Sequence, residues 1–426
     1  MQTKVTNPSP TEAIISIEPT ETEILSIKKH VLGHFQNQVK VPGFRTGKTP
    51  LELVEKHTDN NLLQSKFLDE AIEQLYRKAM QTNNLRPVDR PSISIKKFVP
   101  FSALEFQVSV PILGNIRLAD YKKIKLAKTK IQITAKDIND VLKSLQSRMA
   151  DKIDVDRQSK KGDQLWIDFS GSDTNGKPVS GADGKDYPLL LGSNTFIPGF
   201  EDNLLGLKAN DEKTFTLTFP KDYGVKALAG SKVTFKVIVT KVQAVNEPKL
   251  DDEFAKKAGP FESLQSLKED IRKQITIERQ NQADRDYESE LIKKISDKSH
   301  VDIPKVLVDE QLERMLKSER QNAIYRGQTW EEYLEREGMD EEALKAKMRP
   351  AAEERVKASV LLSEVAEIED ISFSREELDE RIRVMKTQYQ DAQMQAELDK
   401  DEARQDIASR MLTEKTIQRL VDYAIK

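Results

Sequence analysis

The hydrophobic period changes along this chain, and that change constrains the fold more than any other feature. Residues 151–245 hold short alternating segments between Gly and Pro turns, Gln164–Phe169, Tyr187–Leu191, Lys213–Phe219 and Val233–Val242. Period-two alternation, as in Val233, Phe235, Val237 and Val239, is the mark of strands with one face buried. After residue 246 the pattern switches to long, charged, helix-period segments. One layer cannot serve both periods, and 426 residues exceed what a single core accommodates. The chain therefore reads as α+β multidomain: 1–115, a connector over 116–150, a β-rich part over 151–245 and an all-α part over 246–426.

The N-terminal part mixes both periods. Ala13–Glu18 reads as a strand. Thr20-Glu21-Thr22-Glu23 is a capping box before a helix whose stripe is Ile24, Ile27, Val31, Leu32, Phe35 and Val39. Thr49-Pro50-Leu51-Glu52 reads as a second box, with Pro50 at the first helical position, where its missing N–H costs nothing. A helix is expected over Asn60–Thr82, then strands over Ser92–Phe98 and Leu104–Val110.

Between the first two helical patterns lies Val41–Pro50, VPGFRTGKTP. Gly43 and Gly47 let the backbone turn tightly, and between them sit an apolar ring, Phe44, and a fixed cation, Arg45; Lys48 follows. Arg and Lys suit phosphate and Phe suits a base face or apolar crevice, so the loop reads as a docking tip. The plainer alternative is a helix connection whose Phe folds back onto the core. Gly43…Gly47-Lys48-Thr49 is not a phosphate-binding P-loop: Pro42 stands where the first glycine belongs, and no strand precedes it.

Composition excludes several function classes. Charged residues are 33% and hydrophobic ones 37%, mean hydropathy is −0.61, and the net charge of −3 gives no global field for nucleic acid. No cysteine is present, which removes disulfide and thiolate chemistry. The first residues carry no apolar signal segment, and nothing approaches 18 consecutive apolar residues, so a cytoplasmic protein without membrane association is expected. His30 and His34 have a helical metal-ligand spacing but no third ligand in view, and the four histidines form no hydrolase pattern; no metal and no cofactor is expected.

The basic run Lys122–Lys130 reads as a solvated linker, and Thr134 caps a helix with stripe Ile138, Val141, Leu142, Leu145 and Met149. In the last part, helices are expected to start at Ser263, Pro304, Thr329 and Ser374. Heptads are not sustained. The part reads as apolar side chains scattered in a charged field, able to hold unfolded segments weakly. A scaffold is the alternative.

Three stretches carry a resemblance. Gly43-Phe44-Arg45-x-Gly47-Lys48-x-Pro50 resembles the ribosome-docking signature of the bacterial trigger factor family. Gly162-Asp163…Asp168-Phe169-Ser170-Gly171, Leu191-Gly192, Phe196-Ile197-Pro198-Gly199-Phe200-Glu201 and Pro220-Lys221-Asp222-Tyr223-Gly224 resemble an FKBP-type peptidyl-prolyl isomerase. Val301-Asp302-Ile303-Pro304, followed by an apolar helix start, resembles the substrate-holding domain of the trigger factor family. The resemblance implies an ATP-independent chaperone that docks at the ribosome, holds nascent and unfolded chains, isomerises X–Pro bonds and can form a weak homodimer. It implies docking through Gly43, Phe44, Arg45, Gly47 and Lys48, on ribosomal protein and rRNA. It implies an isomerase wall of Phe169, Tyr187, Ile197, Phe200, Tyr223 and Phe235, with Phe215 and Phe219 as core. Thr46 replaces a basic residue common in the family's loop, Phe169 a frequent Tyr, and Ser180 an often acidic position, and the loop Val225–Ser231 is short. A stand-alone isomerase with scaffolding flanks and a periplasmic folding factor are the rival readings.

Overall fold

The computed structural model describes residues 1–45, 47–221, 223, 228–389 and 391–425, without the side chain of Ser180. Thr46, Asp222, Gly224, residues 225–227 of the Val225–Ser231 loop and the Ser180 side chain therefore lie outside the described residues. Two compact units result, Met1–Thr129 with Asp284–Lys426, and Lys130–Ala283.

The first unit opens with β1 (Gln2–Ser9), β2 (Glu12–Glu18), α1 (Glu21–Gln36), α2 (Leu51–His57), α3 (Asn60–Thr82), β3 (Ser92–Val99), β4 (Ala103–Pro111) and β5 (Ile116–Arg117). The sheet order is β1-β2-β4-β3, all antiparallel. Ala13, Ile15 and Ile17 alternate inward on β2, as do Leu104, Phe106, Val108 and Val110 on β4. They share one core with the α1 stripe and with Leu63, Phe67, Ala71, Leu75 and Ala79 of α3. The Thr20 capping box forms as expected. The second box does not. Pro50 is itself the cap of α2 and makes no side-chain hydrogen bond, while the Thr49 hydroxyl is buried without a partner. The Thr49 carbonyl instead accepts from Gln36 Nε2 at 2.6 Å, and that contact draws the residue inward.

The second unit contains α4 (Ala135–Arg148), β6 (Asp151–Asp154), β7 (Gln164–Ser172), β8 (Pro178–Leu190), β9 (Glu212–Thr218), β10 (Lys232–Asn246), α5 (Asp252–Ala258) and the start of α6 (Leu264–Lys298). Its sheet runs β6-β10-β7-β8, with β9 on β10. Val233, Phe235, Val237 and Val239 are all buried on one face of β10. Phe200, Leu204 and Leu207, after Pro198-Gly199, have the spacing of a short helix over Phe200–Leu207, but only a 3₁₀ turn forms, at Asp202–Leu204, and Gly206 turns the chain at φ +81°. A separate cluster joins Ile138 and Leu142 of α4 to Phe254, Leu267 and Ile271.

The chain then completes the first unit with the rest of α6, β11 (His300–Val301), α7 (Lys305–Tyr325), α8 (Trp330–Glu337), α9 (Glu341–Ile368), α10 (Arg375–Lys386), α11 (Ala392–Glu397) and α12 (Asp401–Ile425). The Thr329 and Ser374 capping boxes form. β11 pairs with β5, and Arg86 bridges Glu364 and Glu367 of α9 at 2.7 and 2.9 Å. The basic run is fastened rather than a free linker. Leu118, Tyr121, Ile124 and Leu126 pack with Tyr287, Leu291, Val365 and Leu420. Lys122 pairs with Glu369 at 2.8 Å and Lys128 with Asp284 at 3.1 Å. Apolar residues between the lysines supply the burial, which the charge pattern alone conceals.

Candidate functional site

The second unit holds a hollow of about 390 Å³. β7 contributes Phe169, β8 Ala182 and Tyr187, and β10 Phe235; the segment Thr195–Pro198 and the turn after β9, with Phe219, Pro220 and Tyr223, close it. Strand alternation explains the first group: Phe169 and Phe235 lie on the sheet face that also carries Ile167 and Val237. Gly184 faces the Phe169 ring so closely that a Cβ there would stand 2.6 Å from Cε1, so this ring position requires glycine.

The wall is aromatic. Phe169 meets Tyr187 edge-on at 6.0 Å and Phe196 at 5.4 Å, and Phe219 meets Tyr223 at 4.7 Å. Such edge-to-face geometry matches ring quadrupoles. Tyr187 and Tyr223 are half-exposed at the mouth. Among the described lining residues there is no carboxylate, imidazole or amine.

Five of the six expected wall residues, Phe169, Tyr187, Ile197, Tyr223 and Phe235, border this hollow. Phe200 does not. It is fully buried, stacked on Phe196 at 4.4 Å and edge-on to Phe235 at 5.2 Å, and acts as the support behind the wall. Phe196 and Phe219 border the hollow as well; Phe219 had read only as core, and Phe196 had no assigned role although it lies inside the Phe196–Glu201 motif. Phe215 packs behind Phe200 and does not line the space.

Two buried carboxylates lie in the same unit outside the lining of the hollow. Asp163 accepts two hydrogen bonds from Arg157, at 2.6 and 2.9 Å, and one from the Lys160 N–H at 2.9 Å. Burial pushes its carboxyl up, but these donors outweigh it and hold the group below its ordinary range. Glu201 follows the same logic, with burial opposed by N–H donors from Gly192 and Asn194, and also ends below its ordinary range.

In the first unit, Phe44 is 45% exposed, and Arg45 and Lys48 are exposed. Phe44 thus does not fold back onto the core. Gly43 and Gly47 take φ of +86° and +82°, which favours glycine. The Gly47 N–H donates to the Gln36 carbonyl at 3.0 Å, tying the loop to the end of α1. His30 faces Glu70 at 3.4 Å and meets His34 edge-on.

Comparison with known proteins covers nearly the whole chain. A family model described as bacterial trigger factor protein matches residues 1–145, one for its C-terminus matches 263–422, and one for FKBP-type peptidyl-prolyl cis-trans isomerase matches 155–240. The trigger factor of Bacillus subtilis is 34% identical over 380 residues, covering 89% of both chains. That of Acetivibrio thermocellus is 35% identical over 82% of both, and that of Carboxydothermus hydrogenoformans 32% over 96% of both. A solved trigger factor chaperone structure aligns over 99% of each chain at 18% identity, with a TM-score of 0.48.

Proposed function

Because the chain belongs to the bacterial trigger factor family, and is with it a ribosome-associated chaperone carrying a peptidyl-prolyl isomerase domain, we propose which of its residues carry each task. Residues 1–115 dock, 116–150 connect, 151–245 isomerise and 246–426 hold nascent and unfolded chains. The setting is the cytoplasm, and among the described residues no helix is long and apolar enough to cross a membrane.

Isomerisation is assigned to the aromatic hollow, and the single observation that carries the assignment is its wall of aromatic rings. Rotation about an X–Pro bond faces a barrier of roughly 18–20 kcal/mol because the amide has partial double-bond character. The twisted transition state loses that resonance and is less polar. An aromatic pocket binds it better than the planar ground state, so no acid, base or nucleophile is required. Phe169, Ile197 and Phe235, with Phe196 and Phe219, form the wall; Tyr187 and Tyr223 flank the mouth; Phe200 supports the wall from behind.

Docking is assigned to Gly43, Phe44, Arg45, Gly47 and Lys48, with ribosomal protein and rRNA as the surface. Phe44 supplies an exposed ring, and Arg45 and Lys48 supply charge for phosphate. Holding is assigned to exposed apolar side chains in the charged helical part, such as Ile324, Tyr325, Ile368, Val384 and Met394.

Ribosome co-sedimentation tests the docking claim at two salt concentrations. Pelleting of the intact chain falls as salt rises, because phosphate contacts release counterions. The double variant Phe44→Ala, Arg45→Ala pellets far less at low salt. If it pellets like the parent, the loop is not the docking element.

A further inference from the structure

The loop between β8 and the Phe200 turn should be unstable on its own. Gly192 and Asn194 both adopt left-handed backbone, with φ of +94° and +56°, and the loop's N–H groups converge instead of pairing in the sheet. Glu201 meets them. Its Oε2 accepts from the Gly192 N–H at 2.6 Å and the Asn194 N–H at 3.2 Å. Its Oε1 accepts from the Thr195 N–H at 3.0 Å and the Ser193 hydroxyl at 3.1 Å. The side chain is buried, and it borders the far side of the loop and not the aromatic hollow. The next residue after this staple is Phe196, whose ring touches Phe169, Tyr187 and Phe200.

We propose that Glu201 is a positioning residue of the isomerase: its carboxylate fastens the 192–195 loop and thereby fixes Phe196 and Ile197 in the pocket wall. The proposal rests on the assignment of isomerisation to that hollow. Glu201 touches no substrate and exchanges no proton, since loop donors occupy both of its oxygens. A carboxylate is required because only acceptors fit. Glutamine offers one oxygen and one NH₂, so its NH₂ confronts either the Gly192 and Asn194 N–H groups or the Thr195 N–H, and only the Ser193 hydroxyl can turn to accept from it.

The test uses the intact chain and its Glu201→Gln variant, with two measurements. Amide hydrogen exchange at Gly192, Asn194 and Thr195 is expected to accelerate about tenfold or more in the variant, with the strands β7 and β10 keeping their protection. Isomerisation of a short X–Pro peptide is expected to lose about tenfold in kcat/KM, equivalent to ~1.4 kcal/mol of transition-state stabilisation. The parent's kcat/KM should stay flat between pH 5 and 8, since Glu201 keeps its charge. Unchanged loop exchange overturns the proposal, as does unchanged kcat/KM. Uniform loss of protection across the unit also overturns it, because Glu201 would then be a general stabiliser. A parent pH profile that titrates with a carboxyl and flattens in the variant would make Glu201 a reacting group instead. An intact parent that is inert towards X–Pro peptides refutes the pocket assignment itself, whatever the loop exchange shows.

Discussion

Phe200 separates support from contact, and its replacement by leucine gives a magnitude. The ring is fully buried and meets Phe196 at 4.4 Å, Phe215 and Phe235 at 5.2 Å, and Phe169 at 6.0 Å. Truncating a buried Phe to Ala costs about 3–5 kcal/mol. Leucine refills most of the space but forfeits the ring–ring geometry, which contributes ~0.5–1.5 kcal/mol per pair and does not add fully across four rings. Phe200→Leu should therefore destabilise the Lys130–Ala283 unit by about 2 kcal/mol, a fall of roughly 4–8 °C in melting temperature for a unit of this size. The probe is at hand. Trp166 lies on β7, its indole N–H donating to Gln243 Oε1 at 2.9 Å, and the other tryptophan, Trp330, lies in the other unit and can be replaced by Phe. Unfolding followed by Trp166 fluorescence reads the stability, and kcat/KM measured well below the transition reads the pocket. Because Phe200 stands behind the wall, kcat/KM should fall by less than about threefold, whereas Phe196→Leu, which alters the wall, should lower it more at smaller cost in stability. A Phe200→Leu chain that melts like the parent but has lost its isomerase activity refutes this reasoning and makes Phe200 a substrate contact.

Two further perturbations bear on the first unit. Glu369 accepts from the hydroxyls of Tyr121 at 2.7 Å and Tyr423 at 2.6 Å and pairs with Lys122, which together with the other donors holds its carboxyl at about 2. A carboxyl depressed by folding contributes stability that is fully present above its unfolded value near 4.5 and is lost as pH falls toward 2. Acid should thus loosen the 118–126 segment, read by hydrogen exchange, before the core of the β1–β4 sheet, and Glu369→Gln should produce the same loosening at pH 7; equal exchange in the two chains refutes the clasp. Thr49→Val removes a buried hydroxyl without a partner and should stabilise the N-terminal part by about 1 kcal/mol in chemical denaturation; destabilisation would mean the hydroxyl has a partner, such as a bound water.

Local rules were legible wherever neighbours in sequence settle the structure. The boundaries of α3, the Thr20, Thr329 and Ser374 caps, and the inward face of β10 follow from period and capping chemistry alone. β1 was not legible, because Gln2–Ser9 is polar, sits at the sheet edge and shows little buried alternation. Thr49 misled because its box matches the pattern while a distant side chain, Gln36, decides where the residue goes. The same limit governs the pocket. Residue types identify an aromatic surplus, but whether Phe196, Phe200, Phe215 or Phe219 faces the hollow depends on strand register and on the turn after β9. Glu201 did leave a signal: a carboxylate directly after the apolar stretch Phe196–Phe200, which must find donors if it is buried.

That signal connects the two units through their chemistry. On the assignments proposed above, isomerisation by differential apolar binding and holding by scattered apolar contacts both dispense with titrating reagents, which leaves structural work to the carboxylates that donors enclose. Glu201, Asp163 and Glu369 are each surrounded by donors and each held below the ordinary carboxylate range. Groups in that condition stay ionised across neutral pH, and their contribution to stability changes only in acid. The intact chain should therefore isomerise and hold clients with little pH dependence from about 5 to 8, and should lose both abilities in acid together with the contacts of these carboxylates. A bell-shaped profile centred near neutrality would require a reacting group that the described pocket lining does not contain.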